Sequence, residues 1–262
     1  MMSRKYVLCY PKRKMNNAIF YAMLDLRIAA ERFAHRQLLR AGIDVAHVSI
    51  WNQNLPPKVR QVMIESGMLL NGFEASQILS LASAAVEKLD GCLAEVGVYT
   101  GGSAKLIASV KGQRELHLFD TFEGLPAPGR GDPRIFREKQ YRANIEAVRA
   151  YLSDFPNVHF HKGLFPSTAT PVADRRFCFV NLDVDLYEST KAGIEFFYPR
   201  LVPGGILMSH DYQQAGVRRA FDEFFADKAE IVVQQTAGAH CVVVKSAPAE
   251  LGTIQNACTS NM

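Results

Sequence analysis

From residue 90 onward the chain repeats one pattern: a short apolar run, a turn, then a stretch with helical spacing. The runs are "CLAEVGV" (92–98), "ELHLFD" (115–120), "NVHFH" (157–161), "FCFVNLD" (177–183) and "ILMSHD" (206–211). Runs that stay apolar instead of alternating are buried on both faces, which a parallel sheet covered by helices provides. The helical stretches begin near Ser103, span 137–152 with Tyr141, Ile145, Val148 and Leu152 on one face, run from Tyr187 to a stop at Pro199, and cover Gly216 to Phe225. "PGG" (203–205) reads as the turn into the fifth strand, and "EIVVQQ" with "HCVVVK" as a closing antiparallel pair. The expected fold is α/β: a doubly wound, mostly parallel sheet of seven strands. In such sheets ligands gather beyond the carboxyl ends of the strands.

The 262 residues are enough for that domain and an appendage. Residues 1–75 read as a helical N-terminal extension, with an amphipathic segment near 17–41, serving the acceptor pocket or an oligomer contact. Residues 76–246 form the sheet domain, and 247–262, without periodicity, a mobile tail. Residues 1–42 hold nine Lys/Arg against two Asp/Glu, so of the net +4 a local +7 leaves −3 for the rest. A solvated face or a homodimer contact accounts for this arm, and nucleic acid is not an expected partner. No apolar run reaches the roughly 20 residues of a membrane span, and Asp25 and Arg27 interrupt the one that a secretory signal would need. The scarcity of serine argues against a mitochondrial presequence, leaving a cytoplasmic protein as the expectation. Five cysteines, Cys9, Cys92, Cys178, Cys241 and Cys258, are odd in number and widely spaced. They read as core packing in a reducing compartment, with no disulfide frame or zinc site.

Two features carry chemistry. "LAEVGVYTGGSAKLIA" places Glu95 at a strand end, then Gly97, Gly101 and Gly102, then a helix. The order G-x-x-x-G-G lacks the second glycine of a dinucleotide fingerprint and the Lys-Ser/Thr of a phosphate loop. A carboxylate before the turn repels phosphate and attracts a cation. The turn therefore suits S-adenosylmethionine, with its ammonium and sulfonium, and Asp120 at the next strand end stands where a ribose-binding acid does. The second feature is "VNLDVDLYEST", with Asp183 and Asp185 where a buried strand runs out. Asp185 precedes a helix start and is expected to cap it. His117, His159, His161 and His240 lie in or beside strands and read as satisfied structural groups.

"EVGVYTGGSAKLIA", "LFDTFEGLP", "LDVDLYEST", "FYPRLVPGGILMSHDY" and "GVRRAFDEFF" together resemble, over about residues 70–245, the macrocin O-methyltransferase (TylF/MycF-type) family of class I, Rossmann-like enzymes. The resemblance implies S-adenosylmethionine-dependent methylation of a sugar hydroxyl on a natural product. It places Glu95, Gly97, Thr100, Gly101 and Ser103 around the methionine moiety, Asp120 and Thr121 on the ribose, Phe122 beside the adenosine, and Gly163 and Leu164 at the adenine. It also implies a divalent metal held by the first Asp of D-x-D-L-Y, here Asp183, and by an Asp-Asp pair after the fifth strand. That pair is His210-Asp211 in this chain. By resemblance the ion is Mg²⁺, but imidazole favours Mn²⁺, Zn²⁺ or Fe²⁺. Asp183 and His210 are the candidate catalytic groups, His210 as a metal ligand or as a base in its own right. The loop "PAPGRGDPRIFREKQ" (126–140) reads as a lid or a plain linker. The alternatives are methylation of a phenol or catechol, a nicotinamide-dependent oxidoreductase, and a non-catalytic scaffold.

Overall fold

The computed structural model describes residues 55–235 and 238–247. The basic arm, the helix expected at 17–41 and the tail beyond 247 lie outside these residues. Seven strands form one sheet: β1 (Cys92–Val96), β2 (Leu116–Asp120), β3 (Val158–Lys162), β4 (Phe177–Leu182), β5 (Leu201–Ser209), β6 (Val233–Gln234) and β7 (Cys241–Val244). Their order is β3-β2-β1-β4-β5-β7-β6. β1 to β5 are parallel, while β7 runs antiparallel to β5 and β6 antiparallel to β7. The expected doubly wound, mostly parallel sheet is therefore the one observed. The strand order reverses between β1 and β4, and the ends of these two strands mark the crevice where such sheets bind ligands.

Both faces are covered, as the unbroken apolar runs require. On one face α1 (Pro57–Ser66) packs through Val59 and Val62 on α2 (Gly72–Lys88) and α3 (Gly102–Val110), which with α4 (Ile145–Tyr151) cover the sheet through residues such as Ile78, Ala82, Ile107 and Val148. On the other, α5 (Tyr187–Phe197) and α6 (Ala215–Phe225) bring Ile194, Phe197, Val217 and Phe221 against Val180 and Leu207. No described helix is long and apolar enough to cross a membrane. Cys178 and Cys241 are buried free thiols within strands, as core packing requires, whereas Cys92, also a free thiol, is only partly buried and lies against Glu115.

Three local expectations are corrected. The helix expected over 137–152 spans only Ile145–Tyr151, because the Asn144 side chain accepts from the backbone N–H groups of Glu146 and Ala147 and so starts the helix there. Before it, Lys139 and Tyr141 have left-handed backbones that no helix admits. "PGG" is not a turn ahead of a strand: Pro203, Gly204 and Gly205 lie inside β5, at a shift of its register with β4. A Cβ on Gly205 would stand 2.8 Å from the Val202 carbonyl and 3.1 Å from that of Phe177. Only glycine lets the bulge close. Finally, Asp185 does not cap α5. The Tyr187 N–H donates 3.0 Å to Asp132 Oδ1, from the loop after β2.

Candidate active site

A cavity of about 270 Å³ opens at the carboxyl ends of β1, β2, β4 and β5. Its floor is the glycine turn. Gly97 has φ 89°, and a Cβ there would lie 1.8 Å from the Asp183 carbonyl oxygen, so the turns after β1 and β4 touch only because residue 97 has no side chain. The Asp183 N–H donates to the Val96 carbonyl at 2.8 Å, continuing the β1–β4 pairing to the edge. Asp183 therefore stands over the turn.

Of the residues singled out in the sequence, Gly97, Thr100 and Ser103 line the cavity on the turn side, and Asp120, Thr121, Gly163 and Leu164 on the β2–β3 side. Asp183, His210 and Asp211 line the β4–β5 side. Three do not reach the wall. Gly101 is the left-handed residue that starts α3. Phe122 is buried among the core residues, its ring 6.5 Å from that of Phe160. Glu95 is wholly buried behind the turn, where its Oε1 accepts from Asn181 Nδ2 at 2.9 Å. Burial, with Ser103 and Asn181 working against it and Asp183 and Asp120 adding to it, raises the Glu95 carboxyl to about 8. A cation brought near would favour its charged form.

Asp120 is held differently. Its Oδ2 accepts from the N–H groups of Val98 (2.7 Å) and Tyr99 (2.9 Å), and its Oδ1 from that of Phe122 (2.6 Å). The carboxylate thus pins the glycine turn onto the end of β2, leaving about one of its roughly four lone-pair positions for a ligand. Thr121 folds back as well, its hydroxyl donating to the Gly124 carbonyl at 2.7 Å.

At the ends of β4 and β5 the donors are few and the carboxylates many. His210 Nδ1 lies 2.9 Å from Asp211 Oδ2 and 3.5 Å from Asp183 Oδ1, while Nε2 lies 3.6 Å from Glu74 Oε1. Burial opposes a charge on this imidazole, but Asp183, Asp211 and Glu74 outweigh it and raise the ring to about 11. With nothing bound it is an imidazolium, which has no lone pair with which to take a proton. Burial lifts Asp183 to about 6, against the pull of His210. Burial, then the neighbouring charges of Asp183 and Asp211, lift Asp185 to about 8, against the pull of His210. Asp185 and Asp211 also have left-handed backbones, at φ 61° and 59°, a strain that gathers at working sites.

Sequence reasoning missed Glu74. Buried on α2, it completes a capping box in which Asn71 accepts from its N–H and its Oε2 accepts from the Asn71 N–H at 2.9 Å. Its Oε1 accepts from the Ala239 N–H at 3.0 Å and faces His210. Burial alone would raise Glu74, but His210 and these two backbone donors hold it down at about 2. The N-E pattern of the box was visible, but no local signal ties residue 74 to residue 210. The loop after β2 also contributes: Pro126, Ile135 and Phe136 line the cavity.

Asp183, His210 and Asp211 offer ligand atoms that all lie within 4.8 Å of one another. Two carboxylates and an imidazole suit a divalent cation, which would also relieve the crowding that lifts Asp185. Such an ion and the ring proton compete for the same imidazole lone pair. The cavity wall also fits a nucleoside with a cationic arm: it carries four aspartates and one histidine, and no Lys or Arg among the described residues.

Known proteins share part of this sequence and this fold. A tetracenomycin-C 4'-O-methyltransferase of Streptomyces olivaceus, named for its 8-demethyl-8-(2,3-dimethoxy-alpha-L-rhamnosyl) substrate, is 31% identical over 150 residues, 51% of this chain and 58% of the relative. Demethyldecarbamoylnovobiocin O-methyltransferase of Streptomyces niveus is 28% identical over 153 residues, 52% of this chain and again 58% of the relative. The match thus spans less than two thirds of either relative. Among solved structures, the O-methyltransferase NovP shares the fold with a TM-score of 0.61 at 23% identity, over 69% of this chain and 82% of that one. An O-methyltransferase from Bacillus cereus in complex with SAH shares it with a TM-score of 0.55 at 13% identity, over 74% and 94%. Residues 51–235 match the family described as Macrocin-O-methyltransferase (TylF). That match takes in most of the chain, which therefore belongs to the TylF macrocin-O-methyltransferase family.

Proposed function

We propose that this chain is an S-adenosylmethionine-dependent O-methyltransferase acting on a sugar hydroxyl of a glycosidic natural product. The observation that carries the reading is the cavity wall itself: a glycine turn facing four aspartates with no lining Lys or Arg. A pyrophosphate cofactor would be repelled by that wall, which counts against a nicotinamide enzyme, whereas an ammonium and a sulfonium would be held. The Streptomyces olivaceus relative, named for 4'-O-methylation of a rhamnosyl tetracenomycin, supports the sugar as acceptor.

Methyl transfer is an in-line displacement on a donor that supplies its own leaving group, so the protein aligns the partners and removes one proton. The turn at Gly97, Thr100 and Ser103 holds the methionine end, while Asp120 and Thr121 hold the ribose. Gly163 and Leu164 border the base. Asp183, fixed over the turn by its backbone bond to Val96, takes the hydroxyl proton. His210, gripped by Glu74 and Asp211, keeps the acceptor side in register. Asp183, His210 and Asp211 would hold a divalent cation, which would lower the pKa of an acceptor hydroxyl.

The test is calorimetric and kinetic. S-adenosylhomocysteine is expected to bind where NADH does not, and labelled methyl transfer to a rhamnosyl glycoside is expected to stop in chelator and return with Mg²⁺ or Mn²⁺. Binding of NADH alone would end the reading. Full turnover in excess chelator would remove the metal from it.

A further inference from the structure

The opposite edge of the sheet carries a second cluster that methyl transfer does not use. Cys92 opens β1, Glu115 immediately precedes β2, and His117 is two residues further on, so all three project from one face of neighbouring strands. Cys92 Sγ lies 3.5 Å from Glu115 Oε2, and His117 Nε2 lies 3.4 Å from that same oxygen. The three ligand atoms fall within 4.8 Å of one another. Tetrahedral coordination with metal–ligand bonds of about 2.0–2.3 Å separates neighbouring ligands by roughly 3.4–3.6 Å. Both separations to Glu115 Oε2 already match it, and the sulfur and the imidazole nitrogen lie within 4.8 Å of each other.

The rest of the local hydrogen bonding agrees. His117 is only 5% exposed, and its Nε2 is buried without a hydrogen-bond partner. Its other nitrogen, Nδ1, lies 3.2 Å from His161 Nε2. If Nδ1 donates to His161, Nε2 presents a bare lone pair to a carboxylate oxygen and a sulfur, an arrangement that a cation resolves. A metal-bound imidazole characteristically donates its remote N–H to a second group, and His161 stands in that place. Arg175 Nη2 binds Glu115 Oε1 at 3.1 Å, which steadies the carboxylate and leaves Oε2 turned to the cluster. The Glu115 side chain is about one-third exposed, at 32%, so an ion can enter from solvent and a water can complete the shell.

We propose that Cys92 Sγ, Glu115 Oε2 and His117 Nε2 form a second metal site, selective for a thiophilic divalent cation of the Zn²⁺ type. It clips β1 to β2 at the end away from the cavity. Binding exchanges the Cys92 thiol proton for the metal and releases one proton to solvent, while His117 remains neutral and keeps the proton on Nδ1.

The oxygen-rich site at Asp183 and the thiolate site are separable by spectroscopy. Full-length protein stripped by chelator is titrated with Co²⁺ alone. The expected result is a thiolate-to-Co²⁺ charge-transfer absorption that saturates at one equivalent and is bleached by Zn²⁺. It is lost in Cys92→Ser and retained in Asp183→Asn. Absence of the band from the unaltered protein, or its survival in Cys92→Ser, overturns the proposal. Should Cys92→Ser fail to fold, Glu115→Gln decides, since that side chain is partly solvated. Co²⁺ affinity falling at least about tenfold supports the site, and unchanged affinity overturns it.

Discussion

Two groups of carboxylates share the binding edge of the sheet and are held in opposite ways. Asp120, at the end of β2, accepts from three backbone N–H groups. Asp183, Asp185 and Asp211, at the ends of β4 and β5, crowd around one imidazole, and burial with mutual repulsion raises Asp183 and Asp185. A carboxylate that accepts from three amides serves the backbone first and has about one position left for a ligand. Carboxylates that compete for a single cation remain available to a ligand or a proton. The difference teaches that position at a strand end is not enough to assign a role; the supply of donors decides it.

Four measurements would break or sharpen that contrast. The largest effect belongs to the crowded group. Asp183→Asn is expected to lower methyl transfer by about 10³-fold while calorimetry shows donor affinity nearly unchanged, and an active variant would strip Asp183 of its role. Next comes Glu95, the buried acid behind both groups. Its folded pKa of about 8 lies above the ordinary 4.5, so the folded state keeps a proton that the unfolded chain sheds. The stability it contributes is whole below pH 4.5 and is lost as pH rises through 8. Glu95→Gln cannot titrate, so its stability relative to the unaltered protein should climb over that window, by on the order of 4 kcal/mol in denaturant unfolding. A pH-independent difference would show that Glu95 is ionised in the fold.

The amide-bonded carboxylate should answer in stability. Asp120→Ala strands three amides and is expected to cost about 3 kcal/mol, together with weaker donor binding because the turn loosens. A loss of activity with unchanged unfolding would mean that Asp120 serves the ligand alone. Asp132 gives the smallest effect. It also accepts from the Gly129 N–H at 2.8 Å, so it ties the loop after β2 to the start of α5. Asp132→Ala should cost about 1 kcal/mol by thermal or denaturant unfolding, as for a lost cap. A larger cost would show that the loop is part of the core.

The parallel strands were legible because each is an unbroken apolar run between turn residues, and burial on both faces demands that composition. β5 was misplaced at its start because Pro203, Gly204 and Gly205 carry turn chemistry into a bulge. The helix before β3 was overextended because Tyr141 matches the spacing of Ile145, Val148 and Leu152, yet its backbone is left-handed and its ring faces the cavity. At the site, Asp183, His210 and Asp211 were readable from short motifs. Glu74 and Asp132 were not, since each acts on a residue dozens of positions away in the chain. Cys92, Glu115 and His117 look unrelated in sequence, and only the register of β1 on β2 brings them together.

The contact between Gly97 and the Asp183 carbonyl has one more consequence. A lone hydrogen atom is all that separates the loop assigned to the methyl donor from the residue assigned to the acceptor's proton. A methyl group at position 97 would not merely crowd the pocket; it would prise the two reactants' supports apart. Changes meant to admit a bulkier ligand should therefore begin on the rim and leave that seam alone.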